Sequence, residues 1–263
     1  TETSANLTAT WRPNAADTIH VSYARGVQAP SLIELGGLML RIPVAPGMDF
    51  DLTGNPGLEP SIVTNSQLAY DHDFAPIKAK VGVRIFAQEW EDVKSGSSTV
   101  ALTYLPTATT NGAFTYINAS DSKLKGVEVS ASGRLNANLG WRADYTWTDV
   151  KDSPFPGVNA AARNVAFEQM SPSGRGNIGF DYENGAWEAD ANLHFVSDYD
   201  MVTSAGVLLP VDSSASLSAR VGYRTKGDIT LAVAGQNLLD ERQQQVVGLQ
   251  AERRVLFSVT KAW

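Results

Sequence analysis

The side chains in this chain best suited to metal binding are three histidines, and their spacing decides whether they form a site. They are His20, His72 and His194. Each falls on a different predicted strand, and none has the close sequence spacing that metal ligands show. We therefore interpret them as ordinary strand residues, with His72 on the outward side of its strand near the strand end.

Two pairs of carboxylates, Glu89 with Glu91 and Asp149 with Asp152, raise the question of acid–base catalysis or Ca²⁺ binding. Both pairs fall near predicted strand ends and loops, where solvated charges are common. The sequence contains no Gly-x-Ser-x-Gly elbow, no phosphate-binding loop and no cysteine. It therefore favours a protein that is not an enzyme and that uses neither a cofactor nor a bound metal.

Composition narrows the class of protein. The 263 residues carry a net charge of −7 and show no basic stripe, which argues against nucleic acid as a partner. There is no run of 18 apolar residues, so no transmembrane helix is predicted. Residues 1–4 lack the basic start and apolar segment of a signal peptide, so we expect a mature protein or a piece of one.

Period-two alternation of apolar and polar residues runs through the chain and predicts about eleven strands. In the last thirteen residues one face carries Val255, Phe257 and Val259 and ends on an aromatic, as closing strands of outer-membrane barrels do. Asn184-Gly185 predicts a tight hairpin with a type I′ turn. The predicted segments are residues 5–12, 19–24, 67–74, 78–85, 127–132, 139–148, 177–182, 187–195, 214–224, 229–233 and 251–263.

Three regularities favour a membrane barrel over a soluble β-sandwich, which is the alternative. Long and short connections alternate, as they do when the two ends of a barrel face different compartments. One face is polar along its whole length, which suits a wet lumen. Aromatic residues mark the short-turn ends of the apolar face and predict a membrane girdle: Trp11, Phe74, Trp141, Tyr182, Trp187, Tyr223 and Trp263. A second girdle is predicted at the opposite ends from Tyr23, Trp90, Trp147 and Phe195.

These observations predict an all-β fold, a transmembrane antiparallel up-and-down barrel forming one domain over residues 1–263. The predicted lumen-lining residues are Arg84, Glu128, Arg142, Asp144, Asp190 and Arg220. Eleven strands is an odd number, whereas bacterial single-chain barrels have even numbers. Either one strand escapes the pattern or the chain is the C-terminal part of a larger barrel, which is the interpretation we favour.

Four short motifs resemble those of TonB-dependent outer-membrane receptors, in family order. They are Ser22-Tyr-Ala-Arg-Gly-Val-Gln-Ala-Pro-Ser-Leu-Ile-Glu-Leu35, Gly54-Asn-Pro-Gly-Leu-Glu-Pro60, Lys125-Gly-Val-Glu128 and Gly235-Gln-Asn-Leu-Leu-Asp240. The terminal Trp263 also fits the family. Each motif alone is weak, but the ordered set is specific.

The resemblance implies a 22-stranded barrel that imports ferric siderophores, vitamin B12 or other scarce solutes. In that family an N-terminal plug fills the lumen, and its TonB box couples uptake to the energy-coupling system of the inner membrane. The present sequence contains neither plug nor TonB box, so we expect it to form the last eleven strands. Its expected partners are outer-membrane lipid, the remaining strands and plug from the same or another chain, TonB acting through that plug, and a small-molecule ligand of unknown identity.

The long loops are the best candidates for ligand contact, because loops on a rigid barrel combine charged and aromatic surface and determine specificity. The candidate contact residues are Arg41, Met48, Asp49, Tyr104, Phe114, Tyr116 and Phe167. Arg25, Glu34 and Asn55 lie in the family-like motifs, where we expect them to tie the first long loop to the barrel rim, direct ligand contact being the alternative.

Two other functions remain open at this point. A plugless outer-membrane scaffold or adhesin, completed by another chain, would show the same strand pattern. An outer-membrane enzyme would need a nucleophile, a base and an acid close together on the lumen rim, and the sequence offers no such group.

Overall fold

The computed structural model describes residues 2–36, 38–46, 48–97, 113–156, 158, 166–202, 207–244, 246, 248 and 250–261. Within these ranges the chain is almost entirely extended, with two four-residue helices, α1 (Leu32–Leu35) and α2 (Phe167–Met170), and one 3₁₀ turn (Ala75–Ile77). No helix in the described ranges is long and apolar enough to cross a membrane.

Eleven strands form one continuous antiparallel sheet, in the order β1-β2-β5-β6-β7-β8-β9-β10-β13-β14-β17. Each strand pairs with the next long strand along the chain, which is the predicted up-and-down meander. Their bounds are β1 Ala5–Trp11, β2 Asp17–Gln28, β5 Ser61–Phe74, β6 Ala79–Ser97, β7 Ala113–Arg134, β8 Leu139–Pro154, β9 Gly174–Asn184, β10 Trp187–Val196, β13 Ser214–Arg224, β14 Ile229–Gln236 and β17 Arg254–Lys261.

Six short strands lie outside the main sheet; five of them were not predicted, and β16 takes up the first residues of the segment 251–263 that was predicted as the closing strand. They form three hairpins: β3 (Leu38–Ala45) with β4 (Met48–Thr53), β11 (Tyr199–Val202) with β12 (Leu208–Val211), and β15 (Arg242–Gln243) with β16 (Ala251–Glu252). β4 does alternate, with Met48, Phe50 and Leu52 against Asp49, Asp51 and Thr53, but the strands of the other two hairpins contain only two to four residues, too few to show a pattern.

The central strands are much longer than predicted. β6, β7 and β8 contain 19, 22 and 16 residues, whereas a membrane-crossing strand needs about 9 to 11. The predicted strands over residues 78–85 and 127–132 are therefore too short, since β6 continues to Ser97 and β7 begins at Ala113. The extensions carry polar residues on both faces, so they lack the alternation that identifies a strand in sequence.

The turn between β9 and β10 is tight, as predicted, but its type differs. Gly185 and Ala186 are the central residues, and only Gly185 has a positive φ, of 59°. A positive φ at the first central position alone defines a type II′ turn, whereas type I′ needs it at both. Glycine tolerates this conformation without strain.

The strand register separates two faces across the whole sheet. One row pairs Val21, Leu68, Ile85, Val127 and Trp147 across five strands; all of these side chains except the partly buried Val127 are 43–55% exposed. A contiguous exposed apolar surface of this extent is typical of a membrane contact. We call it the apolar face, and the opposite side the polar face.

The described girdle residues Trp11, Phe74, Trp141, Tyr182, Trp187 and Tyr223 all fall on the apolar face by register. Trp263 lies outside the described residues. Two rows further toward the long connections the apolar face becomes charged, where Lys125 pairs with Asp149 at 3.3 Å. The apolar band therefore ends between Trp147 and this ion pair.

Trp90 is the exception among the predicted girdle aromatics. An odd number of positions separates it from Ile85 on the apolar face, and in a continuous strand that places its side chain on the opposite side. Its register partners are Val63 and Ser122, which lie on the polar face. The prediction that Trp90 joins Tyr23, Trp147 and Phe195 in a second girdle is therefore wrong.

Candidate functional site

The connection between β2 and β5 folds back onto the far ends of β6 and β7. We call this assembly, residues 29–60, 91–97 and 113–122, the loop layer. β4 runs parallel to the start of β7, with Asp51 opposite Ala113 and Leu52 opposite Phe114. Its buried apolar side chains are Leu58, Val93, Ile117 and Ala119, next to Ile62 of β5. Buried apolar side chains thus gather in the loop layer, whereas the apolar face of the sheet leaves its side chains exposed.

Glu34 joins α1 to β6. The Ser31 hydroxyl accepts a hydrogen bond from the Glu34 amide, and the Glu34 carboxylate accepts one from the Ser31 amide at 2.6 Å, which is a capping box. The Nζ of Lys94 on β6 lies 3.2 Å from both Glu34 carboxylate oxygens. Burial opposes ionisation of Glu34, but the hydrogen bonds from Ser31 and Lys94 outweigh it and lower its pKa.

The Gly54-Asn55 motif closes the first connection onto α1 and β7. The Asn55 amide donates to the Glu34 carbonyl at 2.7 Å, and its side-chain Nδ2 donates to the Tyr116 carbonyl at 2.9 Å. A Cβ on Gly54 would lie 1.8 Å from the Gly36 carbonyl oxygen, so only glycine fits. The prediction that Glu34 and Asn55 tie this loop to the barrel is confirmed.

Arg25 makes a different connection. Its guanidinium pairs with the Glu2 carboxylate at 2.7 Å and also donates to the Thr3 carbonyl. The contacts run to the residues just before β1 rather than to the first long loop. For Arg25 the predicted tie to that loop is therefore wrong, because its place on β2 faces the neighbouring edge strand.

Asn118 of β7 connects three segments of the loop layer. Its side chain accepts from the Glu59 amide at 2.9 Å and donates to the Glu59 carbonyl at 3.1 Å and to the Asp92 carbonyl at 3.0 Å. The Ser61 hydroxyl donates to the same Asp92 carbonyl at 2.6 Å. Side-chain amides suit this position because they donate and accept at once.

Asp92 stands at an irregularity in β6. The register shifts between Trp90 and Val93, and Asp92 has a φ of 53°. Its amide donates to the Asp121 carboxylate at 3.0 Å. Burial, with the nearby carboxylates of Glu59, Asp121 and Glu91, raises the pKa of Asp92. The bulge redirects the strand so that its end meets the loop layer.

α2, in the connection between β8 and β9, packs on the polar face next to Trp90. The ring centroids of Phe167 and Trp90 lie 4.8 Å apart. The Glu168 carboxylate pairs with Lys151 at 2.8 Å and accepts from the Asp152 amide, while the Glu168 amide donates to the Asp152 carboxylate. These bonds cover the part of β8 that extends beyond its partner β9.

The predicted lumen residues share the polar face, and several are paired there. Arg84 forms an ion pair with Glu128, and Arg220 forms one with Glu188 at 2.6 Å. Asn177 bridges its neighbours, donating to Asp144 at 2.9 Å and lying 2.8 Å from the ring nitrogen of His194. The Arg142 guanidinium lies over Gly179, and Asp190 lies opposite Arg220 in the register. The face thus presents alternating, largely compensated charges.

The three histidines do not come together. His20 bonds to Thr10 and His194 to Asn177, whereas His72 lies on the apolar face beside the 13–16 turn. The Nδ1 of His72 is 2.6 Å from Asp17, which also accepts from Tyr70 and Asn14. Among the described residues no group of three or more His, Cys, Asp or Glu side chains is placed to hold a metal ion.

Of the predicted ligand-contact residues, Tyr116 and Phe167 are described in full. Tyr116 is half-buried in β7, and Phe167 packs on Trp90. For Arg41 in β3, Met48 and Asp49 in β4 and Phe114 in β7 the strand position is described but the side chain is not. Tyr104 lies outside the described residues.

Sequence reasoning missed Lys94 and Asn118 and assigned Trp90 to the wrong face, although all three complete these contacts. Lys94 and Asn118 lie in stretches without alternation, so nothing local marks them. The start of α1 did carry a signal, since Ser31-Leu-Ile-Glu34 has the spacing of a capping box. Trp90 was detectable by counting positions from Ile85.

The chain matches the family model described as "TonB dependent receptor-like, beta-barrel" over residues 1–238. No curated protein sequence matches it significantly.

Among solved structures, the FrpB iron transporter of Neisseria meningitidis has a TM-score of 0.69 at 11% identity, covering 97% of this chain and 38% of that one. A mutant of the ferric enterobactin receptor PfeA of Pseudomonas aeruginosa has a TM-score of 0.68 at 17% identity, covering 97% and 39%. The copper transporter OprC has a TM-score of 0.62 at 16% identity, covering 92% and 34%. At such identities the likeness shows the fold alone, and this chain spans well under half of each matched chain.

Proposed function

Because the chain belongs to the TonB-dependent receptor β-barrel family, we propose that it forms the C-terminal portion of an outer-membrane receptor that takes up a scarce solute. The observation that carries this proposal is a two-faced sheet with a packed loop layer at one end only. Lipid accepts the apolar face, water and solute contact the polar face, and the loop layer borders the entrance. The solute is a ferric siderophore, cobalamin or a compound of similar scarcity.

The polar face then lines the lumen. Arg84, Glu128, Arg142, Asp144, Asp190 and Arg220 would be the lining residues. The ion pairs Arg84–Glu128 and Arg220–Glu188 compensate charge along the wall. A wall of compensated charges stays hydrated without holding a charged solute strongly, which suits passage rather than storage.

The apolar face then contacts lipid. Its aromatic residues at the short-turn ends would lie at the periplasmic interface, where amphipathic rings are favoured. Trp187 and Tyr223 already pack together there, with ring centroids 4.9 Å apart. Trp147 and Phe195 would approach the opposite interface.

The edges of the sheet support an incomplete barrel. Within the described residues β1 pairs only with β2 and β17 only with β14. Both edge strands run from the long-connection end to the short-turn end, so they cannot pair antiparallel with each other or with a second copy in the same orientation. An odd number of further strands would pair with the backbone N–H and C=O groups of both edges. Lipid cannot form hydrogen bonds with those groups. We assign these strands, with a plug that engages TonB, to the rest of the receptor, in the same or another chain.

The proposed ligand contacts lie at the loop layer and the neighbouring long connections. Arg41, Met48, Asp49, Tyr104, Phe114, Tyr116 and Phe167 are the proposed contact residues. The similar structures are described as an iron transporter, a ferric enterobactin receptor and a copper transporter. Those names support metal-containing solutes as the class to test first.

Uptake by cells tests the proposal. A strain that lacks the complete receptor gene is compared with the complemented strain for uptake of ⁵⁵Fe from several siderophores and of labelled cobalamin, with and without TonB. We expect TonB-dependent uptake of at least one solute only in the complemented strain. Normal surface expression with no uptake of any solute would refute transport and favour the scaffold or adhesin.

A further inference from the structure

A small pocket lies on the polar face beside α2. It has a volume of about 220 Å³ and is formed by two register rows across β6, β7 and β8 with α2 above them. One row contains Gln88, Leu124 and Val150, and the next contains Trp90, Ser122 and Asp152. Phe167 and Ser171 complete the lining.

The lining of this pocket is uncharged. Every described side chain that lines it is aromatic, aliphatic, hydroxyl or amide. Asp152 lies next to Ser122 in the second row, and the ion pair of Lys151 with Glu168 is substantially exposed to solvent. The polar face elsewhere carries arginine and carboxylate side chains, so an uncharged pocket is distinctive there.

Trp90 adds a specific requirement. Its indole Nε1 is buried and has no hydrogen-bond partner among the described residues. A buried donor without a partner is unfavourable, and an acceptor brought in by a ligand would relieve it. Phe167 packs on the Trp90 ring, with ring centroids 4.8 Å apart and ring planes tilted by 36°.

We propose that this pocket is a subsite that holds one planar, uncharged group of the transported solute, an aromatic ring or amide that carries a hydrogen-bond acceptor. The group packs on Trp90 and Phe167, and its acceptor pairs with the Trp90 N–H or the Gln88 amide. Aromatic faces bind planar groups by offset stacking, and an uncharged lining with Asp152 beside it disfavours carboxylates. The inference rests on the proposed transport function, whose solute it narrows.

Fluorine NMR of the complete receptor tests the subsite without knowledge of the solute. The protein is labelled with 5-fluorotryptophan, and Trp90→Phe identifies the Trp90 resonance. Benzamide is the probe, benzoate the charged control and cyclohexanecarboxamide the non-planar control. We expect benzamide to shift the Trp90 resonance saturably, and each control to bind at least tenfold more weakly. The Trp187 resonance, from the apolar face, should not move.

Variants locate the interaction. Phe167→Leu keeps an apolar side chain but removes the ring, and we expect it to weaken benzamide binding at least fivefold. Phe195→Leu is the matched control on the apolar face and should leave binding unchanged. Heat-modifiable migration confirms that both variants fold.

Three outcomes would overturn the subsite: no saturable shift with benzamide, equal binding of benzoate, or unchanged binding in Phe167→Leu. The transport proposal fails independently, through the uptake assay. Saturable benzamide binding without uptake of any solute would refute transport alone, and uptake without benzamide binding would refute the subsite alone.

Discussion

The ion pair between Glu34 and Lys94 provides the sharpest test of how the loop layer is held. Its side chains are only 20% and 8% exposed, and the pair joins residues 60 positions apart. Lys94→Met keeps most of the aliphatic stem and removes the charge. Breaking a fully buried pair costs about 3 to 5 kcal/mol. Glu34 retains its bonds to Ser31 and some solvent contact, so we expect a local loss of about 1 to 2 kcal/mol.

Hydrogen exchange measures this loss directly. The Asn55 amide donates to the Glu34 carbonyl and the Gly36 amide to the Leu32 carbonyl, so both report opening of α1. A loss of about 1 to 2 kcal/mol accelerates their exchange roughly 5- to 30-fold. Exchange in the β8–β10 region should not change, because those strands do not touch the pair.

Lys123→Met is the matched control. Lys123 and Glu89 lie 3.0 Å apart, but their side chains are 66% and 49% exposed. Exposed pairs contribute little to stability, so exchange near this pair should change by less than about fivefold. Equal acceleration in the two variants, or none in Lys94→Met, would refute the argument from burial.

Acidification tests the Glu34–Lys94 ion pair in a second way. The pKa of Glu34 is lowered in the folded loop, so ionised Glu34 stabilises α1 at pH values above its unfolded-state pKa. This contribution is lost as the pH falls through the lower, folded-state pKa. Opening free energies, corrected for intrinsic exchange, should therefore converge for wild type and Lys94→Met at acidic pH. A difference that stays constant through this range would contradict the assignment.

Two further substitutions test the loop layer. For each variant, the protease sensitivity of residues 29–60 is measured in protein whose barrel is folded as in the wild type. Gly54→Ala places a Cβ 1.8 Å from the Gly36 carbonyl and should destabilise the layer by about 1 to 3 kcal/mol, whereas Gly57→Ala, whose nearest contact is 3.4 Å, should have little effect. Asn118→Ala removes both bonds to Glu59 and should cost about 1 to 3 kcal/mol locally; sensitivity equal to wild type would show that water replaces the amide.

The sheet was predictable because its signal is local. In β8, residues Leu139 to Thr148 are alternately apolar and polar. Successive side chains of a strand point to opposite faces, so this alternation places all the apolar side chains on one face. The same rule placed Trp187 and Tyr223 on one face. Each long strand and each family motif is marked by a short stretch of sequence, and the order of these stretches along the chain indicates the meander.

The lengths of β6 and β7 were not predictable in this way. Beyond Trp90 both faces of the hairpin contact water or loops, so apolar and polar residues have no reason to alternate. The chain stays extended there because Lys94 to Ser97 pair with Thr115 to Asn118. Backbone hydrogen bonds carry no side-chain signature, so such pairing is invisible in sequence.

The candidate site depended on tertiary structure almost throughout. The motif glycine Gly54 is explained only by the backbone of Gly36, and Glu34 only by Lys94. Trp90 and Phe167 meet across 77 positions because a bulged strand and a four-residue helix converge on one face. By itself the sequence determined which face of each strand meets lipid, since that depends on alternation alone. Which loop residues meet depends on chain closure over long separations, and only the folded structure decides it.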